Sequence, residues 1–206
     1  MIRILAEEIP AKLNYKLLTG IVVPRPIAFV TTLSTVNESV NAAPFSFFNV
    51  ASSNPPRISI SVGRRDGEMK DTARNAIHRG EFVVHLSDEQ LIEEINKTAA
   101  TLKNDESELS LTSLHTTDSS IVSVPGIKEA SIRFECKLDQ HLTFQDDQGH
   151  TNTDFLIGKV LCYHIADHLY DTEKEYILCE KAKPVARLAG NGYATLDKPF
   201  SLDRPS

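Results

Sequence analysis

Short runs in which apolar residues alternate with small or polar ones recur along this chain, and the spacing changes to a helical one in only a few places. Alternation at period two predicts strands. Arg57 to Val62 carries Ile58, Ile60 and Val62 on one face with serines on the other, and Glu81 to Leu86 predicts a further strand. Ile132, Phe134, Cys136 and Leu138 alternate with Arg133, Glu135 and Lys137, which predicts a half-buried strand with those three charged side chains facing out. Asp154 to Ile165 predicts a long return strand after a hairpin turn at Asp146-Asp-Gln-Gly149. After Pro26, the apolar and β-branched residues up to Thr32 predict a strand buried on both faces. Its turn partners are Asn37 and Glu38.

Two helices are expected between these strands. Asp71 is the expected N-cap of a helix with body Thr72 to Arg79 and a stop at Gly80. Ser87-Asp-Glu-Gln90 has the form of a capping box opening a helix through about Ala99, striped by Leu91, Ile92 and Ile95. From Leu102 to Ser120 the composition turns to Ser, Thr, Asp and Glu, which predicts a surface excursion, and Val124-Pro-Gly126 predicts a turn. The sum is a mainly β chain with peripheral helices, a barrel of antiparallel strands in one domain over residues 1–206.

Asn41-Ala-Ala-Pro-Phe-Ser-Phe-Phe-Asn49 departs from that pattern. Ala42 and Ala43 allow close approach of backbone to a flat ligand, Pro44 withholds an N–H from a ladder, and Phe45, Phe47 and Phe48 offer broad apolar faces. Ser46 and Asn49 add hydrogen-bonding groups, so the stretch has the makings of a wall for a ring with one polar edge. A bulged second strand, stopped by Asn54-Pro55-Pro56 and filling a core with its three phenylalanines, accounts for it equally well.

Gly63-Arg-Arg-Asp-Gly-Glu-Met-Lys70 is a basic loop leading into a helix, which is a site for one phosphate or an ordinary solvated turn. Near the C-terminus, Gly190 and Gly192 allow the backbone to bend and bring Tyr193 beside a ligand, or simply to make a turn before a loose tail.

A net charge of −6 argues against a nucleic-acid partner, and no apolar run reaches membrane-spanning length. Glu7, Glu8, Lys12 and Lys16 interrupt any secretory hydrophobic block, and Cys136, Cys162 and Cys179 fit neither a disulfide framework nor metal-ligand spacing. A cytoplasmic protein with three buried thiols is expected.

GxGxxG, Walker, HExxH and GxSxG motifs are absent, and His164 and His168 would share a face only on a helix, where a strand is expected. His78 and His85 read as a helix end and a strand face. No catalytic residue and no metal ligand can be assigned. A bound cofactor that carries the chemistry would explain this absence.

Pro24 to Thr32, Asn41 to Asn49, Gly63-Arg-Arg65, Lys70-Asp-Thr72 and Pro184-Val-Ala-Arg-Leu188 stand in the order and spacing of the flavin reductase-like family. The chain resembles this family from about Pro24 to Tyr193, and most resembles its flavoredoxin-type and nitrilotriacetate monooxygenase component B members. The resemblance implies an FMN-binding split β-barrel with Greek-key connections, a homodimer with FMN near its interface. It implies contacts to flavin from Asn41, Ala42, Ala43, Phe45, Ser46, Phe47 and Asn49. Ser61, Val62, Gly63 and Arg64 would border the phosphate, and Lys70, Asp71 and Thr72 would hold it at the helix start. Arg25, Arg187 and Tyr193 would line the groove or touch the second protomer. Ala189 departs from the commoner Arg-Leu-Gly-Gly form.

The implied activity is reduction of FMN by NADH or NADPH, with reduced flavin supplied to a separate monooxygenase. A carrier that keeps its flavin, and a sensor of flavin or another heterocycle, are the other functions such a barrel would serve.

Overall fold

The computed structural model describes residues 1–103 and 106–203. Helix α1 (Ala11–Ile21) precedes a two-residue strand β1 (Arg25–Pro26) and the strands β2 (Ala28–Leu33), β3 (Val40–Phe45), β4 (Phe48–Ser53) and β5 (Pro56–Gly63). Helix α2 (Asp71–Arg79), strand β6 (Glu81–Leu86) and helix α3 (Ile92–Lys97) follow. A short ladder joins β7 (Thr116–Thr117) to β8 (Gly126–Ile127), and the long hairpin β9 (Ile132–Gln145) and β10 (Thr151–Ile165) comes next. The chain finishes with β11 (Tyr170–Asp171), β12 (Tyr176–Ile177), α4 (Cys179–Ala182), β13 (Val185–Arg187) and β14 (Tyr193–Thr195).

One antiparallel sheet of seven strands in the order β3-β2-β6-β9-β10-β5-β4 dominates. Its two edge strands are consecutive in sequence and are joined by Ser46 and Phe47 alone. That short link rolls the sheet until its edges approach, leaving a barrel open along one seam. The β4–β5 ladder runs on into the link, where the Ser61 N–H donates to the Phe47 carbonyl at 2.8 Å. The segment Asn41–Asn49 is therefore two strands on opposite edges, not one bulged strand. Pro44 sits on an edge strand, where its missing N–H leaves no ladder bond unmade.

The barrel interior holds Ala28, Val30, Phe45, Ile58, Ile60, Val62, Phe82, Val84, Cys136, Leu156 and Val160, with Ala73 and Ala76 of α2 closing one side. β2 is buried at every position, as its composition predicts, because α3 and its flanking loops cover the outer face through Phe29, Ala42, Leu91, Ile95 and Ile127. The alternation in β5 also holds, with Ile58, Ile60 and Val62 buried.

Four expectations shift. α2 begins at Asp71, one residue earlier than expected. Lys70 occupies the cap position with no side-chain cap bond, while Asp71 is the first helical residue and pairs with Arg74. Gly80 closes the helix at φ 72°, as expected. α3 is a shorter helix with Leu91 at its cap position, and Asp88 holds the turn before it, its Oδ1 accepting the N–H groups of Gln90 and Leu91; Ser87 Oγ is buried with no hydrogen-bond partner among the described residues.

Glu135 is buried, although alternation placed it outward. The segment 119–122 folds over it, and its carboxylate accepts the N–H groups of Ser120, Ile121 and Val122 and a bond from His164. Burial pushes its carboxyl up, but these bonds outweigh that and hold it below the usual carboxylate range. Of the three thiols expected to be buried only Cys136 is, inside the barrel; Cys162 is half-buried and Cys179 is exposed, and all three are free.

His85 on β6 is fully buried, with Nδ1 donating to the Phe29 carbonyl and Nε2 accepting the Ile127 N–H. Burial pushes it down to about 4, against the pull of its Phe29 bond and aided by Arg133. The unfolded chain takes up a proton near pH 6.5 and the folded one does not. Stability is therefore complete above that pH and is lost toward pH 4. Urea unfolding is expected to report about 2 kcal/mol less stability at pH 5 than at pH 7.5. The slope should flatten in His85→Gln, and an equal slope in that variant would refute the assignment.

Candidate functional site

A cavity of about 410 Å³ opens beside the seam, between β3, the loop 65–70, the start of α2 and the chain after α3. Its size lies within the range of small-molecule pockets. Asn41, Ala43, Pro44 and Phe45 form one wall, and Arg65, Lys70, Asp71 and Thr72 form the other.

The second wall suits an anion. The N–H groups of the first turn of α2 lack intrahelical acceptors by geometry, the Lys70 side chain at the cap position bonds none of them, and they open where Arg65 and Lys70 also point. Arg65 donates to Thr101 Oγ1 at 2.7 Å; among the described residues neither it nor Lys70 has an ion-pair partner. Burial and the nearby Arg65 charge both lower the Lys70 ammonium, while both residues keep solvent exposure and Asp66, Glu68 and Asp71 share the wall. A phosphate there would relieve both costs.

The first wall is fixed from behind. Asn41 Nδ2 donates to both carboxylate oxygens of Glu108 at 2.9 and 2.8 Å, and its Oδ1 accepts from Thr72 at 2.8 Å and Thr32 at 3.3 Å. The polar atoms of Asn41 are thus spent on protein, and its amide ties β2, β3, α2 and the Glu108 turn together. Glu108 also accepts the Ala42 N–H at 3.1 Å. Burial pushes its carboxyl up, with Asp71 adding to the effect and the Ala42 and Asn41 bonds opposing it.

The expected ligand residues separate into groups. Asn41, Ala43, Phe45, Lys70, Asp71 and Thr72 line this cavity, together with Arg65 and Glu108, which sequence reasoning did not assign. Ala42 packs on the other face of β3, toward Phe29 and Leu91. Val62 is core, and Gly63 is exposed at the end of β5.

Arg64 turns away from the cavity. Its Nε and Nη2 each donate to the Asp154 carboxylate at 2.9 Å, and its Nη1 reaches the Gly67 carbonyl at 3.3 Å. Arg64 thereby anchors the loop that carries Arg65 and Lys70, while His141 shares Asp154 at 3.0 Å.

Ser46, Phe47, Asn49, Ser61 and Arg25 line a second cavity of about 420 Å³, on the side of β4 that faces α1. Arg25 is buried and donates to the carbonyls of Thr19, Val22 and Leu188, pinning the end of α1 to the C-terminal hairpin. Arg187 stacks on Tyr193 at 4.4 Å, and the Tyr193 hydroxyl donates to Asn96; both lie outside the two cavities. Gly190 keeps φ 57° despite the neighbouring Ala189.

Glu108 was hidden in a stretch whose Ser, Thr, Asp and Glu content reads as solvent-facing, and nothing local distinguishes it. Arg65 stands beside Arg64 in a doublet that pattern alone cannot resolve. Positions 104–105 of that stretch lie outside the described residues.

A rolled antiparallel sheet open at one seam, with a cavity beside it between the Ala43-Pro44-Phe45 wall and the start of α2, has the architecture of a split barrel. The chain belongs to the family of the flavin reductase like domain, whose model matches residues 20–181. The protein YwrF of Bacillus subtilis (strain 168) is 62% identical over 201 residues, covering 98% of each chain. Nitrilotriacetate monooxygenase component B from Bacillus cereus is 48% identical with a TM-score of 0.94, covering 98% of each chain. The 2-nitrobenzoate 2-nitroreductase NbaA of Pseudomonas fluorescens is 31% identical with a TM-score of 0.88, covering 99% of this chain and 96% of that one. The chain is a flavin-related oxidoreductase of the flavin reductase type. No helix among the described residues is long and apolar enough to cross a membrane.

Proposed function

We propose that this protein binds FMN in the cavity beside the seam and reduces it with NADH or NADPH, releasing reduced flavin to a separate monooxygenase. The observation that carries the reading is the uncapped start of α2 with Arg65 and Lys70 in one pocket, facing the Ala43-Pro44-Phe45 wall. The cationic end would hold the phosphate through charge-assisted bonds and the first-turn N–H groups. Ala43 and Phe45 would take the ring edge, and the Glu108–Asn41–Thr72 chain would keep their strand in place.

When bound, FMN supplies a ring that accepts hydride at N5. The protein's own part is alignment: it holds the ring with one face reachable, excludes water behind it with Phe45, and needs no acid or base of its own. That fits a pocket with no histidine in its lining.

The oxygenase partner is supported by the name of the Bacillus cereus structure, a component of a monooxygenase. A homodimer is supported by α1, which exposes Tyr15, Leu18 and Ile21 beside the second cavity, with Phe47 exposed next to them.

Anaerobic stopped-flow mixing of FMN-loaded protein with NADH and, separately, NADPH tests the reading. Bleaching of the flavin band on a catalytic timescale with one donor is expected, from protein that light scattering sizes at twice the 22.9 kDa chain. Flavin that stays oxidised with both donors, yet reduces through a reduced carrier protein, would replace this reading with that of an electron carrier.

A further inference from the structure

On the outer face of the sheet, remote from both cavities in their lining residues, three ligand-type side chains converge. Cys162 and His164 stand two apart on β10 and so share a face, and the register sets Cys162 opposite Glu135 on β9, beside a bulge after Val160. The Cys162 Sγ, His164 Nε2 and a Glu135 carboxylate oxygen all lie within 4.8 Å of one another. Sγ and Nε2 are 3.7 Å apart, and Nε2 is 2.5 Å from Glu135 Oε1.

We propose that Glu135, Cys162 and His164 form a site for one thiophilic divalent cation of the zinc class, with water in the fourth position. Zinc bonds of about 2.3 Å to sulfur and about 2.0–2.1 Å to nitrogen, at tetrahedral angles, place those two ligands about 3.5 Å apart, close to the separation present. The carboxylate and imidazole need to part by less than about 1 Å to admit the ion. His164 has the freedom to do so, since its side chain is 28% exposed, while Glu135 is fully buried.

Glu135 is already oriented. The three backbone N–H groups of residues 120–122 fix its carboxylate and leave Oε1 directed at His164, which is how an outer set of bonds normally holds a metal ligand. One thiolate, one imidazole and one carboxylate form a ligand set that suits zinc and disfavours magnesium or calcium.

Binding balances simply. The Cys162 thiol proton leaves to water, and the hydrogen between His164 Nε2 and Glu135 is lost or moves to Nδ1, freeing the Nε2 lone pair for the metal. Nothing is oxidised or reduced. The ion would bind the cover segment 119–122 to β9 and β10 through Glu135.

Cobalt provides the readout, measured on tag-free, chelator-treated protein as a difference spectrum so that any flavin cancels. One Co²⁺ per chain with a near-ultraviolet thiolate-to-cobalt band is expected, displaced by Zn²⁺. The band should vanish in Cys162→Ser and persist in Cys179→Ser, whose thiol is exposed and outside the cluster. His164→Gln should weaken Zn²⁺ at least tenfold, and Zn²⁺ should raise the thermal midpoint of the native chain but not of Cys162→Ser. A missing band, or one that survives Cys162→Ser, overturns the site. Metal-free Cys162→Ser melting with the native chain keeps the comparison free of a folding defect.

Discussion

Changing Arg65 and Lys70 together to alanine is expected to weaken FMN about a thousandfold and to leave riboflavin within about threefold. The two side chains occupy one end of the cavity beside an uncapped helix start, and charge-assisted hydrogen bonds of this kind contribute about 1.5–3 kcal/mol each. Riboflavin lacks the phosphate and meets only the apolar wall, so it should notice little. Fluorescence quenching titrations of both flavins measure the ratio directly. Equal weakening of the two would remove the phosphate from this end of the pocket. Arg64→Ala provides the contrast, because it leaves the fully buried Asp154 without its guanidinium and frees the Gly67 end of the loop. Its main loss should be stability, with a smaller change in the FMN-to-riboflavin ratio than Arg65→Ala.

The second large effect concerns Asn41. Asn41→Leu is expected to destabilise the fold by about 3 kcal/mol and to weaken FMN as well. It removes two donors from the buried Glu108 carboxylate and one acceptor shared by Thr72 and Thr32, and a buried polar group left unpaired costs about 1–3 kcal/mol. Glu108→Leu alone should also destabilise, whereas the double variant should cost clearly less than the two singles combined. Urea unfolding of the four proteins measures the coupling. Additive losses would mean that the two residues act independently and that Asn41 does not hold the wall.

These residues also show where sequence reading succeeded and where it stopped. The alternation in Ile58, Ile60 and Val62 was legible because both neighbours in the sheet preserve its pleat. Gly80 was legible because a helix that ends in a left-handed residue favours glycine. Glu135 was not legible, because its burial depends on a segment folding over the outer face of β9, which no local pattern records. Asn41 stands where the sequence places it, at the pocket wall, but its amide faces protein on every side, because Glu108 reaches it from a distant turn. The doublet Arg64-Arg65 divides between loop anchor and cavity because adjacent side chains at the end of a strand point opposite ways, and only Asp154 decides which is which.

The strand order also bears on how the chain assembles as it leaves the ribosome. β2 with β3, and β4 with β5, are local hairpins available early, linked by Ser46 and Phe47, and β6 joins β2 soon after. The inner edge of β5, however, finds its partner only in β10, about ninety residues later, a wait of roughly 5–20 s at ordinary rates of translation. During that interval the nascent chain carries two half-sheets with open inner edges, and the hairpin of β9 and β10 is the clasp that pairs with both. The rolled sheet beside which the first cavity lies is therefore joined only once β10 has been made, although every residue lining that cavity lies before position 109.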